Sequence, residues 1–385
     1  MRKLLAKMDK WLLFLTIFYA VFGLVMIYSA SSIAAVHRYY VSSYYFFIRQ
    51  GIFLIVGFVS GFTVIIRLKT EKYRLFLPFL LMGIMAALIG LFMYGIIAGG
   101  AQRWYNFGFF NFQPTEFAKT ILIIYMAVFY SKQLKKPKVD TITYLIPIAV
   151  AIVLFVLVAM QPDLGGALII AILTFIIFIS IPLGKNNQIK ILKIAGVGIA
   201  VLGIVLIYSG QSFLSESQLG RLQFRAPCRN RYSESGYQVC NSYIAFHNGG
   251  LFGVGLGNST QKYLYLPEGH TDFIFPIIVE ELGMIVGILL IVGYVFMLYR
   301  IIRIARKSEN LRCSILAYGA FTFILLHILV NLLGVLALIP LTGVSLPFLS
   351  YGGSFTLNII IMLFIVQRVA IENYNNKEKR ELASL

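Results

Sequence analysis

The feature that most constrains the fold is a series of apolar segments, each close to the length of a membrane-spanning helix. A helix needs about 20 apolar residues to cross the hydrocarbon core of a bilayer. The stretch 313–367 contains no Lys, Arg, Asp or Glu, and we divide it in two because prolines and glycines between 340 and 353 interrupt it. The sequence therefore predicts ten spans, at 11–30, 46–66, 75–97, 115–131, 142–161, 164–183, 190–209, 273–299, 313–338 and 354–371.

The composition excludes a soluble globular chain. Charged residues make up 12% of the sequence and hydrophobic residues 59%, whereas soluble domains carry about 25% charged residues. These values exclude an ordinary soluble enzyme, a disordered protein and a DNA-binding domain. We therefore expect no nucleic-acid partner, although the formal net charge is +18.

The basic residues predict how the chain is oriented. Most of the 33 Lys and Arg residues lie in every second loop between the apolar segments. The positive-inside rule places those loops and both termini in the cytoplasm, with contacts to anionic membrane lipids. We predict an all-α polytopic membrane domain at 1–372, with one long extracellular loop at 210–272 between the seventh and eighth helices, and a polar cytoplasmic tail at 373–385.

Ionisable residues near the outer ends of predicted helices mark a candidate site, because such groups are costly in a membrane and usually pair or serve a function. Glu116 and Lys119 lie three residues apart, on one face of a helix. They form either a self-contained ion pair or part of a site, and Lys119 could instead pair with Asp163. Glu280 and Glu281 also lie near an outer helix end, so we expect one outward-facing polar cavity to satisfy all of these groups.

Asp163 and Asp272 each admit two interpretations. Both immediately precede a predicted span, where an aspartate can cap the first turn of the helix by accepting a hydrogen bond from a backbone N–H. The same positions face the expected cavity. Residue physics alone leaves the capping role and the functional role open for both.

The long outer loop carries further candidates. Arg221 and Lys262 belong to a positive outer surface that either attracts an anionic substrate or is simply a solvated face. Glu268, His270 and Asp272 could ligate a divalent cation such as Mg²⁺ or Mn²⁺, but three groups in a loop are no specific metal signature. The glycines between 249 and 257 lack the Lys-Ser/Thr of a P-loop, so a nucleotide site is not predicted.

The histidines and cysteines give weaker signals. Cys228 and Cys240 either pair or remain free thiols, and we interpret His247 and His327 as structural. The sequence contains no motif for using ATP. A reaction on the outer face therefore requires a substrate that arrives activated, such as a lipid-linked diphosphate sugar.

Eight short motifs together resemble one known family. They are GAQRW at 100–104, QPTEFAK at 113–119, QPDLG at 161–165, GGLFGVGLGNS at 249–259, YLPE at 265–268, HTDFIF at 270–275, EELG at 280–283 and LPFLSYGGS at 346–354. In order and spacing they resemble the SEDS family of FtsW, RodA and SpoVE, which polymerises lipid II into peptidoglycan glycan strands. The resemblance covers nearly the whole chain.

This resemblance implies roles for individual residues. It implies that Asp272, the acid of the HTDF motif, is catalytic, because a carboxylate can take the proton of an attacking sugar hydroxyl. It also implies that cations stabilise the departing diphosphate. The further candidates for substrate binding or the charge network are Arg103, Trp104, Glu116, Lys119, Asp163, Arg221, Lys262, Glu268, His270, Glu281 and Ser350. Trp104 stacks on a sugar or anchors at the membrane interface.

The resemblance also implies a cellular setting. The segment 258–262 is more similar to FtsW, the division member, than to RodA or the sporulation member. We therefore expect a peptidoglycan glycosyltransferase in the bacterial cytoplasmic membrane, at the division septum, with a class B penicillin-binding protein and other division proteins as partners. The alternatives are a lipid II flippase or other transporter, and a division scaffold without chemistry.

Overall fold

The computed structural model describes residues 2–98, 101–108, 110–136, 140–182, 190, 193–194, 196, 228 and 234–384. In the first half of the chain the helices are α1 (Arg2–Ala6), α2 (Lys10–His37), α3 (Tyr45–Ser60), α4 (Tyr73–Tyr94), α5 (Pro114–Gln133), α6 (Thr141–Ala159) and α7 (Leu164–Ser180). A π-helical turn, Gly61–Ile65, extends α3, and a 3₁₀ turn, Thr70–Lys72, precedes α4. In the second half they are α8 (Glu234–Gly249), α9 (Ile274–Leu282), α10 (Met284–Arg306), α11 (Leu311–Val335) and α12 (Gly353–Ala383).

Most of the predicted spans correspond to helices. Over the described residues, seven helical segments are long and apolar enough to cross a membrane: Lys10–His37, Tyr45–Ile65, Thr70–Tyr94, Thr141–Ala159, Ile274–Arg306, Leu311–Val335 and Gly353–Ala383. The predicted span 164–183 is the shorter apolar helix α7, and 115–131 is α5, whose first turns carry Glu116 and Lys119. Nearly all of the predicted span 190–209 lies outside the described residues.

Helices α11 and α12 lie at the centre of the bundle. Their most apolar windows are 67% and 83% buried, compared with 22% for the windows of α3 and α4, so α3 and α4 present most of their surface to lipid. Polar side chains connect α12 to its neighbours: Gln50 on α3 donates to Thr356, and Thr120 on α5 donates to Asn358, each at 2.7 Å. Hydrogen bonds of this kind hold helices together where water cannot compete.

A small sheet departs from the all-α prediction. Strands β1 (Ile96–Ala98), β2 (Ala101–Asn106) and β3 (Asn111–Phe112) pair antiparallel in the order β1-β2-β3. The Ser354 hydroxyl donates to the Asn111 carbonyl at 3.0 Å and thereby ties the sheet to the start of α12. Most of the segment lies between the predicted spans 75–97 and 115–131, where no strand was predicted. Pairing with β1 and β3 holds β2 beside the start of α5.

The predicted eighth span is broken at Gly283. α9 ends at Leu282 and α10 begins at Met284, with Gly283 at φ +89°. The break is filled by backbone from the glycine-rich segment 249–257: Val254 N–H donates to Glu280 C=O and Met284 N–H donates to Gly250 C=O, both at 2.9 Å. Gly249 and Gly253 allow this close packing, since an added Cβ would lie 2.2 Å from the Val279 carbonyl oxygen and 2.3 Å from that of Glu281, respectively.

The last helix extends beyond the expected membrane span. α12 continues to Ala383, so most of the segment 373–385 is helical and prolongs the final span. Lys7 in the N-terminal segment donates to Asn375 at 2.8 Å and to Glu378 at 2.7 Å. The two ends of the chain therefore meet at the same end of the bundle.

We predict that Gly283→Ala destabilises the protein. A Cβ atom at Gly283 would lie 2.3 Å from the Leu251 carbonyl oxygen, and the backbone conformation suits only glycine. Strain of this kind costs about 1–3 kcal/mol from the backbone alone. Gly83→Ala is the matched control, because nothing lies within 4 Å of its added Cβ in the middle of α4. Thermal unfolding in detergent should show a lower midpoint for Gly283→Ala alone, and equal midpoints for the two variants would contradict this account of the break.

Candidate active site

A cavity of about 680 Å³ lies at the end of the bundle that carries the sheet. Strand β2, the first turns of α5 and α7, the residues before α9, and the loop between α11 and α12 all contribute to its wall. It gathers eight of the twelve candidate residues from distant parts of the sequence: Arg103, Trp104, Glu116, Lys119, Asp163, Glu268, His270 and Asp272.

Glu116 and Lys119 form the ion pair that their spacing allows. Lys119 Nζ lies 2.8 Å from Glu116 Oε1, and both side chains are buried. Lys119 Nζ also lies 3.2 Å from His327 Nε2, so its neighbours are Glu116 and His327 rather than Asp163. The second carboxylate oxygen, Glu116 Oε2, is buried and has no hydrogen-bond partner among the described residues.

Asp163 caps a helix, which is one of its two interpretations, and it also contacts a cationic side chain of the cavity wall. Its Oδ1 accepts a hydrogen bond from Gly166 N–H at 3.0 Å, which caps α7. The same oxygen lies 3.7 Å from the Arg103 guanidinium, which also donates to the Pro162 carbonyl at 2.8 Å. Asp163 thus holds Arg103 of β2 in the cavity wall. The next residue in the strand, Trp104, also lines the cavity.

Asp272 lies just before α9, with its side chain partly exposed to the cavity. Its backbone carbonyl accepts from Asn331 Nδ2 at 2.8 Å, and its carboxylate makes no hydrogen bond or ion pair within the part of the chain that the structure describes. Burial, helped by the negative charge of Glu268 and opposed by Arg103, raises the pKa of the Asp272 carboxyl to about 7. A carboxylate with a pKa near neutrality suits proton abstraction at physiological pH.

His270 and Glu268 form the wall beside Asp272. The His270 ring is buried against Phe46, with centroids 4.6 Å apart, and burial with the positive charge of nearby Arg38 lowers its pKa to about 4. Glu268 lies 3.4 Å from Arg38 and accepts from the Thr271 hydroxyl at 2.9 Å. His270 is therefore neutral at physiological pH, and Glu268 is engaged by Arg38 and Thr271.

The expectation of one shared cavity is wrong for Glu280 and Glu281, and the substrate-binding candidate Lys262 also lies outside that cavity. Lys262 Nζ lies 3.0 Å from Glu281 Oε1, and the Ser29 hydroxyl on α2 donates to the same carboxylate at 2.7 Å. Glu280 accepts from the Thr260 hydroxyl at 2.8 Å. These buried groups fasten the outer loop to the end of α9, behind the cavity, and none of the three lines it.

Two other candidates also lie elsewhere. The Ser350 hydroxyl accepts from Leu346 N–H at 2.8 Å and stabilises a turn before α12, outside the cavity lining. Arg221 falls outside the described residues. Ser350 was selected because it belongs to a motif, and the structure gives that motif a local structural role at this position.

The structure also settles the state of two cysteines and bears on the metal hypothesis. Cys228 and Cys240 form a disulfide with their Cα atoms 4.9 Å apart. Among the described residues, no group of three or more His, Cys, Asp or Glu side chains is arranged to hold a metal ion. Glu268, His270 and Asp272 do not form such a group, and the divalent cation stays a prediction.

Sequence reasoning interpreted His327 as structural and did not expect it at the cavity. Its ring lies beside Lys119 and lines the cavity. The available signal was its position in the charge-free stretch 313–367, because polar groups buried in membrane helices usually serve a site. Arg49 on α3 also lines the cavity and was not singled out.

We predict that Glu281→Gln lowers stability by about 3–5 kcal/mol, because it leaves the buried Lys262 ammonium without its partner charge. Glu381→Gln is the matched control. It disrupts the Lys377–Glu381 pair on the exposed end of α12, and exposed pairs contribute little. Thermal unfolding of the two purified variants tests this difference, and an unchanged midpoint for Glu281→Gln would show that the pair is not structural.

Comparisons with known proteins all point to one family. A family model described as "Cell cycle protein" (FtsW/RodA/SpoVE) matches residues 10–375. The probable peptidoglycan glycosyltransferase FtsW of Bacillus subtilis is 36% identical over 389 residues, covering 99% of this chain and 95% of that protein. The protein of the same name from Enterococcus hirae is 36% identical over 373 residues, covering 94% of this chain and 91% of that protein.

Solved structures show the same fold. A chain of a peptidoglycan synthase complex, studied for structural coordination of polymerization and crosslinking, superposes with a TM-score of 0.73 at 22% identity. The rod shape determining protein RodA of Thermus thermophilus superposes with a TM-score of 0.65 at 23% identity. Each match covers 95% of this chain and 98% of the other.

Proposed function

The chain belongs to the FtsW/RodA/SpoVE family, and from this premise we propose that it is a peptidoglycan glycosyltransferase that polymerises lipid II into glycan strands. Its relatives with 36% identity over nearly their full length carry the name of that activity. The observation that carries the proposal is the cavity itself, which the Asp272 carboxylate and two cationic groups, those of Arg103 and Lys119, line together.

The reaction requires a base and a stabilised leaving group. The Asp272 carboxylate takes the proton of a sugar hydroxyl on the acceptor as that oxygen attacks the anomeric carbon of the donor. A new C–O bond forms, and the bond between the anomeric carbon and the lipid diphosphate breaks. The diphosphate leaves with the electron pair, and direct attack from the opposite face inverts the anomeric configuration.

Positive charge supports the departure of the diphosphate. Lys119 and Arg103 both line the cavity, and fixed cations in a water-poor site stabilise developing negative charge more strongly than they would in water. Lys119 is 1% exposed and is held by Glu116, so it reorganises little when charge develops. Trp104 offers an aromatic face for a sugar. Every step uses side chains of this chain, and none is routed through a divalent cation.

We also propose the membrane arrangement and the cellular role. The basic loops support ten spans with both termini in the cytoplasm, and the contact between Lys7 and Glu378 places the two ends of the chain together. The Cys228–Cys240 disulfide supports an extracellular position for 210–272, because disulfides persist in oxidising compartments. The FtsW names of the relatives support a septal role, with a class B penicillin-binding protein supplying the crosslinking activity that this chain lacks.

We expect Asp272→Asn to abolish polymerisation. The amide keeps the size of the carboxylate but cannot accept the hydroxyl proton, and losing a general base typically costs about 10²–10⁴-fold in rate. The assay follows glycan products made from lipid II by the purified protein and its penicillin-binding partner, whose own glycosyltransferase must be absent. Equal products from wild type and variant would remove Asp272 from the mechanism. No product from wild type would favour a flippase or a scaffold.

Two substitutions should shift the pH dependence of kcat/KM, which reports the pKa values of the free enzyme, in opposite directions. The active form of Asp272 is deprotonated, so the wild-type rate should rise with pH up to an apparent pKa of about 7. Glu268→Gln removes a negative charge that raises this pKa, so the rising limb should move to lower pH. Arg103→Gln removes a positive charge that lowers it, so the limb should move to higher pH. Limbs that coincide in all three proteins would show that the titration belongs to another group.

A further inference from the structure

Two buried polar side chains lie one helical turn apart on α11. His327 and Asn331 are 2% and 4% exposed, inside the charge-free stretch 313–367. Residues spaced by four share one face of a helix. We propose that they are positioning residues that together set the Asp272 carboxylate and the Lys119 ammonium in register across the cavity. This inference rests on the proposed function and deepens it.

Asn331 holds the backbone of the base. Its Nδ2 donates to the Asp272 carbonyl and to the Val344 carbonyl, each at 2.8 Å, which uses both hydrogens of the amide. The neighbouring residue, Gly343, packs against the carboxylate, since a Cβ there would lie 3.2 Å from Asp272 Oδ2. Asn331 therefore holds the backbone of Asp272 and the backbone of the loop opposite it, at Val344, with one side chain.

His327 holds the cation. Its Nδ1 lies 3.4 Å from the Ser345 carbonyl and its Nε2 lies 3.2 Å from Lys119 Nζ. We assign the neutral tautomer in which Nδ1–H donates to Ser345 and Nε2 accepts from Lys119. The ring is stacked on Phe355 with centroids 4.6 Å apart, which limits its rotation.

The consequence for Lys119 is directional. An ammonium group has three donors, and Glu116 Oε1 at 2.8 Å and His327 Nε2 at 3.2 Å occupy two of them. With two directions fixed, tetrahedral geometry fixes the third. Lys119 lines the cavity and also lies 5.5 Å from the centroid of the Phe323 ring. Its third N–H is the donor left for a phosphate oxygen, and its direction is fixed, unlike that of a flexible lysine.

The two side chains act as one spacer. They bind consecutive carbonyls, of Val344 and Ser345, and four residues of helix separate them by about 6 Å along the axis. Asn331 bonds the backbone carbonyl of Asp272, and His327 contacts the Lys119 ammonium. A misplacement of about 1 Å in such an arrangement can cost about 100-fold in rate, so a rigid common support matters to the chemistry.

The test separates the two groups by kinetics. Asn331→Leu keeps a similar size and removes the donor, so we expect kcat to fall at least tenfold with KM for lipid II changed less than threefold. His327→Phe keeps the ring and removes the acceptor, so we expect binding of undecaprenyl diphosphate in nanodiscs to weaken about tenfold. His327→Gln, which can again accept from Lys119, should recover part of that binding.

Thr322→Val is the matched control, because Thr322 is a buried polar residue on the same helix whose hydroxyl donates to Tyr318 C=O, away from the cavity. It should keep wild-type kcat, KM and binding. Variants of His327 and Asn331 that lose only thermal stability, with wild-type kcat, KM and binding in the folded fraction, would overturn the inference. Equal loss in His327→Phe and His327→Gln would also overturn it.

The measurement of undecaprenyl diphosphate binding tests this inference separately from the proposed function. If wild type makes no glycan, the glycosyltransferase proposal fails, yet undecaprenyl diphosphate binding can still be compared without turnover. Unchanged binding in His327→Phe would then overturn the inference as well. If wild type is active and Asp272→Asn is inactive while Asn331→Leu and His327→Phe match wild type, the proposed function stands and the inference alone fails.

Discussion

The high cost of an ionised side chain in a low-dielectric bundle is the constraint on which this structure depends. Lys119 is 1% exposed, and its ammonium group pairs with the Glu116 carboxylate at 2.8 Å. Asp163 is similarly engaged by a backbone N–H and by Arg103. Asp272 differs, since its carboxylate has no such partner among the described residues, and its pKa is raised to about 7. The charged neighbours of Asp272 are thus paired with one another, and the Asp272 carboxylate is able to exchange a proton.

The irregular parts of the fold follow from the need to assemble this cavity. If α9 and α10 formed one continuous helix, their backbone groups would bond within the helix and leave no partners for the outer loop. The break at Gly283 instead lets residues 250–255 form hydrogen bonds with the end of α9 and the start of α10. The buried Lys262–Glu281 pair then fastens the loop that leads to Asp272. On the other side, strands β1–β3 hold Arg103 against the Asp163 turn. Irregular backbone at membrane depth is tolerated where it is packed in protein or lines a cavity.

Much of the site could be predicted from local spacing. The Glu116–Lys119 pair followed from an i,i+3 interval, and the N-cap role of Asp163 followed from its place before an apolar run. The pairing of Lys262 with Glu281 could not be predicted in this way, because it joins residues 19 positions apart through a loop whose path has no periodic signal. The break at Gly283 was not predicted because the apolar residues on both sides of Glu280 and Glu281 add up to one span-length segment, and hydropathy does not report φ. The contact between His327 and Lys119 could not be predicted either, because it joins two helices that are far apart in the sequence.

The most direct test of the account is to locate the substrate. A lipid II analogue with a photoreactive diazirine on its disaccharide can be irradiated with the protein and its penicillin-binding partner, and the labelled peptides identified by mass spectrometry. If the cavity is the polymerase site, label should appear on β2 around Trp104 and on the segment 268–272, and an excess of lipid II should suppress it. Label confined to the lipid-facing helices α3 and α4, or label that lipid II does not displace, would contradict the account.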